Sequence, residues 1–227
     1  YHLEVTLPDG RQYRSVPAQM PAPVPLDSVF AEFISSPSPR ISVFAAADDP
    51  KGTTNYYRWS VRNVRKMIRE SLTAPFRCWK RESPSQIPIL EDRLLNSGRI
   101  QQRVFSIPTG RKTSTPNQVD VQQLTITEEA HDFWLKVEEQ VEDFDDPFSA
   151  PPNPIRGNIV PVQDSLKRAL GYFEVAGASR ESTVCFRQQT FDDAPRTSRR
   201  PPRCPDPELG VPGVVFDPPS NWVCTDL

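Results

Sequence analysis

The chain has 227 residues, a net charge of −2 and 37% hydrophobic residues, enough to bury a core of its own. So even a charge balance lacks the basic excess that neutralising phosphates requires, which sets nucleic acid aside as a partner. Proline is the outlier, at 26 residues against 9 glycines, and that ratio disfavours helices and favours turns, strand edges and extended connections.

In chain order, Tyr1, Leu3, Val5 and Leu7 alternate on one face of a strand. Pro8-Asp9-Gly10 turns the chain back through Arg11 to Val16 as a hairpin, expected to be the edge of an immunoglobulin-like sandwich. A chain that opens inside a strand is expected to be a mature or ordered fragment, with any signal peptide or lipid attachment upstream. The proline-rich stretch from Pro17 to Pro25 offers few backbone donors and is expected to run as an extended connector. Residues 1–25 are therefore assigned to the end of an N-terminal β-sandwich domain plus a linker.

Beyond it, apolar residues recur at β spacing in Val29–Ile34, Ile41–Ala46, Tyr56–Val61, Phe76–Trp79, Ile87–Leu90 and Ile100–Ile107. Antiparallel strands joined by turns imply a barrel or a sandwich, placed at residues 26–190. One helix interrupts them at about 127–145. There Ala130, Phe133, Trp134, Val137, Val141 and Phe144 recur at three- and four-residue spacing. Thr127 is its natural N-cap, Glu128 and Glu129 suit its first turn, and Asp145-Asp146-Pro147 closes it. Phe133 and Trp134 are expected to pack on the β core. The fold class is thus mainly β with one amphipathic helix. No apolar run approaches the roughly 18 residues that cross a bilayer as a helix, so the polypeptide is expected to be soluble.

Three ordered blocks carry a resemblance. The first is Ser42-Val43-Phe44, Asp49-Pro50 and Asn55-Tyr56-Tyr57-Arg58-Trp59; the second is Cys78-Trp79. The third runs from Leu124-Thr125-Ile126-Thr127-Glu128-Glu129-Ala130 through Asp146-Pro147-Phe148 and Gly157-Asn158-Ile159 to Ala169-Leu170-Gly171-Tyr172-Phe173. The chain resembles the Bacteroidota lipoproteins grouped as domain of unknown function 4249. The resemblance implies an outer-membrane lipoprotein, held through an N-terminal lipidated cysteine that this chain does not contain. It further implies association with TonB-dependent receptors or other envelope assemblies, with no established catalytic residues. Members often continue past a cysteine pair into a glycine- and tryptophan-containing tail, whereas this sequence ends at Leu227.

Four cysteines fit an oxidising compartment and allow three complete pairings. Cys204 and Cys224 bracket a proline-rich segment with little periodicity to hold it. A bridge between them is expected, closing a loop of about 20 residues and adding on the order of 3 kcal/mol. Residues 191–227 then form a disulfide-closed C-terminal segment. Cys78 and Cys185 lie in strand-like runs, either as buried free thiols or as a second bridge. No C-x-x-C spacing exists and the two histidines, His2 and His131, stand apart, so neither metal nor cofactor is expected.

No G-x-S-x-G elbow, Walker loop, H-E-x-x-H or G-x-G-x-x-G occurs, and a non-catalytic protein is expected. A Ser-His or Cys-His pair would depend on His131, which is expected on the helix surface. The acidic run from Glu138 to Asp146 lacks the spacing of a calcium loop and is expected to be a solvated helix face. Arg199, Arg200 and Arg203 form a basic, proline-spaced loop suited to acidic headgroups, lipopolysaccharide or a protein partner. Prolines pre-set such loops and lower the ordering cost of recognition. Two functions are therefore carried forward, both at the outer membrane on its cell-surface or periplasmic face. One is an accessory or scaffold subunit of an outer-membrane transporter or envelope assembly. The alternative is a small-ligand, nutrient-binding module. Hydrolysis by paired carboxylates is a third possibility that an acid-rich sequence leaves open.

Overall fold

A computed structural model of the chain describes residues 1–69, 76–84, 86–94, 98–143, 155–163, 169–180, 182–192, 204–205, 211–215 and 217–224. Among these residues the protein is mainly β, with antiparallel sheets and one α-helix; no sheet closes into a barrel, and the arrangement is sandwich-like. The smaller wall pairs β3 (Ser28–Ile34), β4 (Arg40–Asp48) and β8 (Arg99–Pro108), in the order β3-β4-β8. The larger wall is built on β5 (Tyr56–Arg69), β6 (Phe76–Glu82), β7 (Ile89–Glu91), β9 (Asn117–Ile126), β11 (Gly177–Ala178), β12 (Ser182–Phe186) and β13 (Val214–Val215). Its main path is β11-β9-β5-β6-β13, with β12 also on β9 and β7 also on β5.

Period-two alternation explains why these walls face each other. Ile41, Val43, Ala45 and Ala47 of β4 meet Ile100, Val104 and Ile107 of β8, Tyr57 and Trp59 of β5, and Val119 and Val121 of β9 in one core. The expected strands lie where the alternation puts them, with β5 running on to residue 69. Strand β9 is the addition. Its inward positions Asn117, Gln123 and Thr125 are polar and buried, so it escapes a hydrophobic pattern. The Asn117 amide donates to the Lys112 and Thr115 carbonyls at 3.0 and 2.9 Å, Gln123 Oε1 accepts the Trp59 indole N–H at 3.0 Å, and Thr125 Oγ1 accepts the Val24 N–H at 3.1 Å. Pairing is what makes buried polar groups tolerable.

The other face of β9 is covered too. Leu124 and Ile126 pack with Ala130 of helix α1 (Glu128–Asp143), while Gln118 and Asp120 hold the C-terminal segment. Gln118 donates to the Asn221 carbonyl at 2.8 Å and accepts the Val223 N–H at 2.8 Å, and Asp120 accepts the Asn221 amide at 3.0 Å. Asp120 is 4% exposed and also accepts Arg62, Gln118 and Thr183.

These contacts correct the expected disulfide. Cys204 bonds Cys78 of β6, and Cys224 bonds Cys185 of β12, with Cα–Cα separations of 5.9 and 5.6 Å. Cys204 and Cys224 do not pair with each other. The C-terminal segment is not a self-closed loop because β13 pairs with β6 and Asn221 and Val223 dock on β9, which carries each cysteine to a strand.

The N-terminal hairpin, β1 (Glu4–Thr6) and β2 (Gln12–Ser15), takes its third strand from β10 (Ile159–Pro161), far along the chain. The connector after it is extended, as its prolines require, but it is seated rather than free. Val24 is 4% exposed, its carbonyl accepts the Gln123 amide at 3.1 Å, and the Leu26 N–H bonds Ser179 at 2.7 Å. Gly177 lies directly beneath: a Cβ there would meet the Pro21 carbonyl oxygen at 2.5 Å and the Pro23 nitrogen at 2.7 Å. Both are backbone atoms and cannot rotate aside. Gly177→Ala is therefore expected to cost about 2 kcal/mol in urea unfolding; a cost below about 0.5 kcal/mol would show that the connector is not seated. Among the described residues no helix is long and apolar enough to cross a membrane.

Candidate functional site

The sequence builds an open cleft where three separate stretches of chain meet the first half of α1. Thr127 caps the helix as expected, its Oγ1 accepting the Ala130 N–H at 3.2 Å. The apolar stripe then does two jobs. Ala130 is buried on β5 and β9, whereas Phe133 and Trp134 are half-buried, and Leu135 and Val141 reach solvent at 39% and 45% exposure. Phe144 lies outside the described residues.

Trp134 anchors the helix. Its indole donates to Glu174 at 2.6 Å, and Arg58 of β5 grips the same carboxylate with bonds of 2.6 and 3.2 Å. The Arg58 guanidinium also lies 4.7 Å from the Trp134 ring centre, a cation–π contact that a half-buried site strengthens. With Glu174 fixed, Tyr172 is delivered to the helix and stacks on Phe133, ring centres 4.8 Å apart and 28° between planes. Burial holds the Tyr172 phenol above its ordinary range, opposed by its bond to Thr127, so the phenol is neutral.

Asn158 supplies the third wall. Its amide donates to the Phe173 carbonyl at 2.9 Å, its Oδ1 accepts the Phe173 N–H at 2.8 Å, and its own carbonyl takes the Val16 N–H at 2.9 Å. The two strands of chain cross so tightly beside it that a Cβ on Gly157 would lie 1.6 Å from the Gly171 carbonyl oxygen. Only glycine fits there.

Between these walls is a cavity of about 540 Å³. Phe133 and Tyr172 give it an aromatic side, Glu129 and Asp132 acidic groups, and Lys136 and Arg156 basic ones. Both cations are exposed. Apolar surface flanked by both signs of charge suits an amphipathic ligand better than a purely ionic one. Among the described residues no cluster of three metal-ligating side chains occurs.

Several expected positions lie elsewhere. His131 is not on the helix surface: it is 7% exposed and packs on Tyr56, ring centres 5.1 Å apart, because β5 runs beneath the first turn of α1. Arg199, Arg200 and Arg203 lie outside the described residues, as do Asp145 and Asp146. Sequence reasoning missed Lys136, Arg156, Asn158 and Tyr172 as one site. The signal available was the pair Gly157-Asn158 and Gly171-Tyr172, two glycines each followed by a side chain that the crossing positions.

Antiparallel sheets in a sandwich-like arrangement, with one helix laid across the larger wall beside an open cleft, define a mainly β domain. Within that class, the family model described as Domain of unknown function (DUF4249) matches residues 1–182, and the chain belongs to this family. No curated protein and no solved structure matches it.

Proposed function

We propose that this domain is a non-catalytic recognition unit, an accessory or scaffold subunit of an outer-membrane transporter of the TonB-dependent type or of another envelope assembly. The observation that carries the reading is the cleft on α1: open, about 540 Å³, and lined by aromatic and oppositely charged groups that an exposed segment of a partner would satisfy. Two disulfides support an oxidising, extracytoplasmic setting. The family resemblance is what supports an outer-membrane placement, and the proposal includes anchoring through a lipidated cysteine.

The test reverses the two exposed cations. In the full-length protein purified from native membranes in mild detergent, Lys136→Glu with Arg156→Glu is expected to cut co-purification of an integral β-barrel partner about tenfold, with an unchanged melting temperature. Undiminished recovery would remove the cleft from the interface. A second reading, a nutrient-binding module, draws on the volume itself, which falls in the range of small-molecule pockets. It requires the isolated domain to melt higher in the presence of a small ligand.

A further inference from the structure

Along α1, charge changes sign on the face that lines the cleft. Glu129, Asp132, Phe133 and Lys136 line it and are spaced i, i+3, i+4 and i+7, so their side chains follow one another down one side of the helix. The two acids come first and Lys136 lies one turn beyond Asp132. At 1.5 Å per residue the base stands roughly 6 to 10 Å from the acids. Phe133 sits between them and carries Tyr172 stacked on it, ring centres 4.8 Å apart. Acid, aromatic and base are therefore met in that order.

These charges do not satisfy one another. Among the described residues the side chains of Glu129, Lys136 and Arg156 take no hydrogen bond and no ion pair, and Asp132 has His131 Nδ1 at 3.8 Å, too far for a hydrogen bond. Other charged side chains of the larger wall are paired: Arg58 with Glu174 at 2.6 Å, Arg62 with Asp120 at 3.2 Å and Arg65 with Glu82 at 3.1 Å. Both signs are left open in the cleft, which an incoming group of opposite sign at each end complements.

Val16, Pro17 and Ala18 line the cleft as well and restrict how a partner binds. The Val16 N–H is bonded to the Asn158 carbonyl at 2.9 Å and the Ala18 N–H to the Tyr1 carbonyl at 2.9 Å. Pro17 between them has no N–H. A strand laid along residues 16–18 finds no backbone donor, so strand addition is closed there and side chains carry the recognition.

We propose, resting on the reading of the α1 cleft as the recognition site, that its occupant is a segment of a protein partner with a basic and an acidic side chain two or three residues apart and an apolar side chain between them. The basic side chain lies against Glu129 and Asp132, the apolar one on the Phe133–Tyr172 stack and the acidic one against Lys136. Arg156, from the stretch that precedes Gly157, supplies a second cation. An extended chain advances about 3.3 Å per residue, so two or three residues cover the distance between acids and base. A segment of uniform charge satisfies one end and sets like charges together at the other, which discriminates against purely acidic and purely basic partners.

The probes are three acetylated and amidated pentapeptides, Gly-Lys-Phe-Glu-Gly, Gly-Lys-Phe-Lys-Gly and Gly-Glu-Phe-Glu-Gly, titrated into the purified full-length protein and followed by the amide chemical shifts of residues 129–136. The unsubstituted protein should bind the mixed peptide about fivefold tighter than either like-charged one, as one exposed ion pair gained and one like-charge contact avoided imply. Glu129→Gln with Asp132→Asn should make the doubly acidic peptide the tightest. Lys136→Gln with Arg156→Gln should make the doubly basic one the tightest, both variants melting where the unsubstituted protein does. A mixed peptide no tighter than the others, an order of affinities unchanged in both variants, or no shift with any peptide would overturn the charge pattern. Free phenylalanine, itself a zwitterion, binding as tightly as the mixed peptide would replace the protein segment by a small ligand. None of these results decides whether the cleft is the interface, which co-purification with the Lys136 and Arg156 reversals reads separately.

Discussion

Replacing Cys78 and Cys204 together by alanine lowers the stability of the oxidised protein by about 5 kcal/mol, and replacing Cys185 and Cys224 by about 4 kcal/mol, in the chain-entropy account. The order follows from separations of 126 and 39 residues: the longer the loop a crosslink closes, the more freedom it removes from the unfolded chain. Native packing adds to the first loss. Cys78 is fully buried and Cys204 is 5% exposed, and both pack with Met67 and Val214. Without that bridge, β13 is held by its two-residue pairing with Lys80 and Trp79, the adjoining Gly213 carbonyl bonded by the Arg81 N–H, and the packing of Val214. Urea unfolding of the two double variants measures the order, and non-reducing peptide mapping checks the connectivity. A peptide joining Cys204 to Cys224, with Cys78 as a free thiol, would contradict the arrangement.

Trp59→Ala is expected to cost about 4 kcal/mol, near the upper range for deleting a buried aromatic side chain. Trp59 is 2% exposed and lies against Tyr57, ring centres 6.0 Å apart, in the middle of the core between the two walls. Its indole N–H also satisfies Gln123, which in turn holds the Val24 carbonyl of the proline-rich connector. The substitution leaves the Gln123 oxygen buried without that donor, which costs more than the lost bond itself contributed. Trp59→Phe keeps most of the volume and loses the donor, so about half the penalty is expected. Equilibrium denaturation separates the two. A cost below about 1 kcal/mol for the alanine variant would place Trp59 outside the core.

How much of this was legible depended on whether the relevant partner lies near in sequence. Alternation at Ile41–Ala46 and Ile100–Ile107 marks strands because each segment carries its own inward face. The helix shows itself through Thr127 and the spacing of Ala130, Phe133 and Trp134. Strand β9 was hidden because Asn117, Gln123 and Thr125 are buried by virtue of partners brought in by folding, and polarity alone suggests solvent. The disulfides failed for the same reason: nearness in sequence favours Cys204 with Cys224, but the register of β6, β9 and β12 decides. His131 looked exposed from its helix alone and is covered by Tyr56 of β5. The cleft gathers Val16, Lys136, Arg156 and Tyr172 from distant parts of the chain, so no local spacing announces it.

The central claim, that the α1 cleft receives a segment of an outer-membrane partner, is tested most directly by contact. A photo-crosslinking residue placed at Lys136 of the protein in its native cells, and as a control at exposed Arg103 on β8, would be activated in intact membranes and the adducts sequenced. The account predicts one integral β-barrel protein joined to the Lys136 position, absent from the Arg103 position, and lost when Arg156→Glu is added. Identical adducts from both positions, or none from Lys136 in membranes where the protein is abundant, would contradict it.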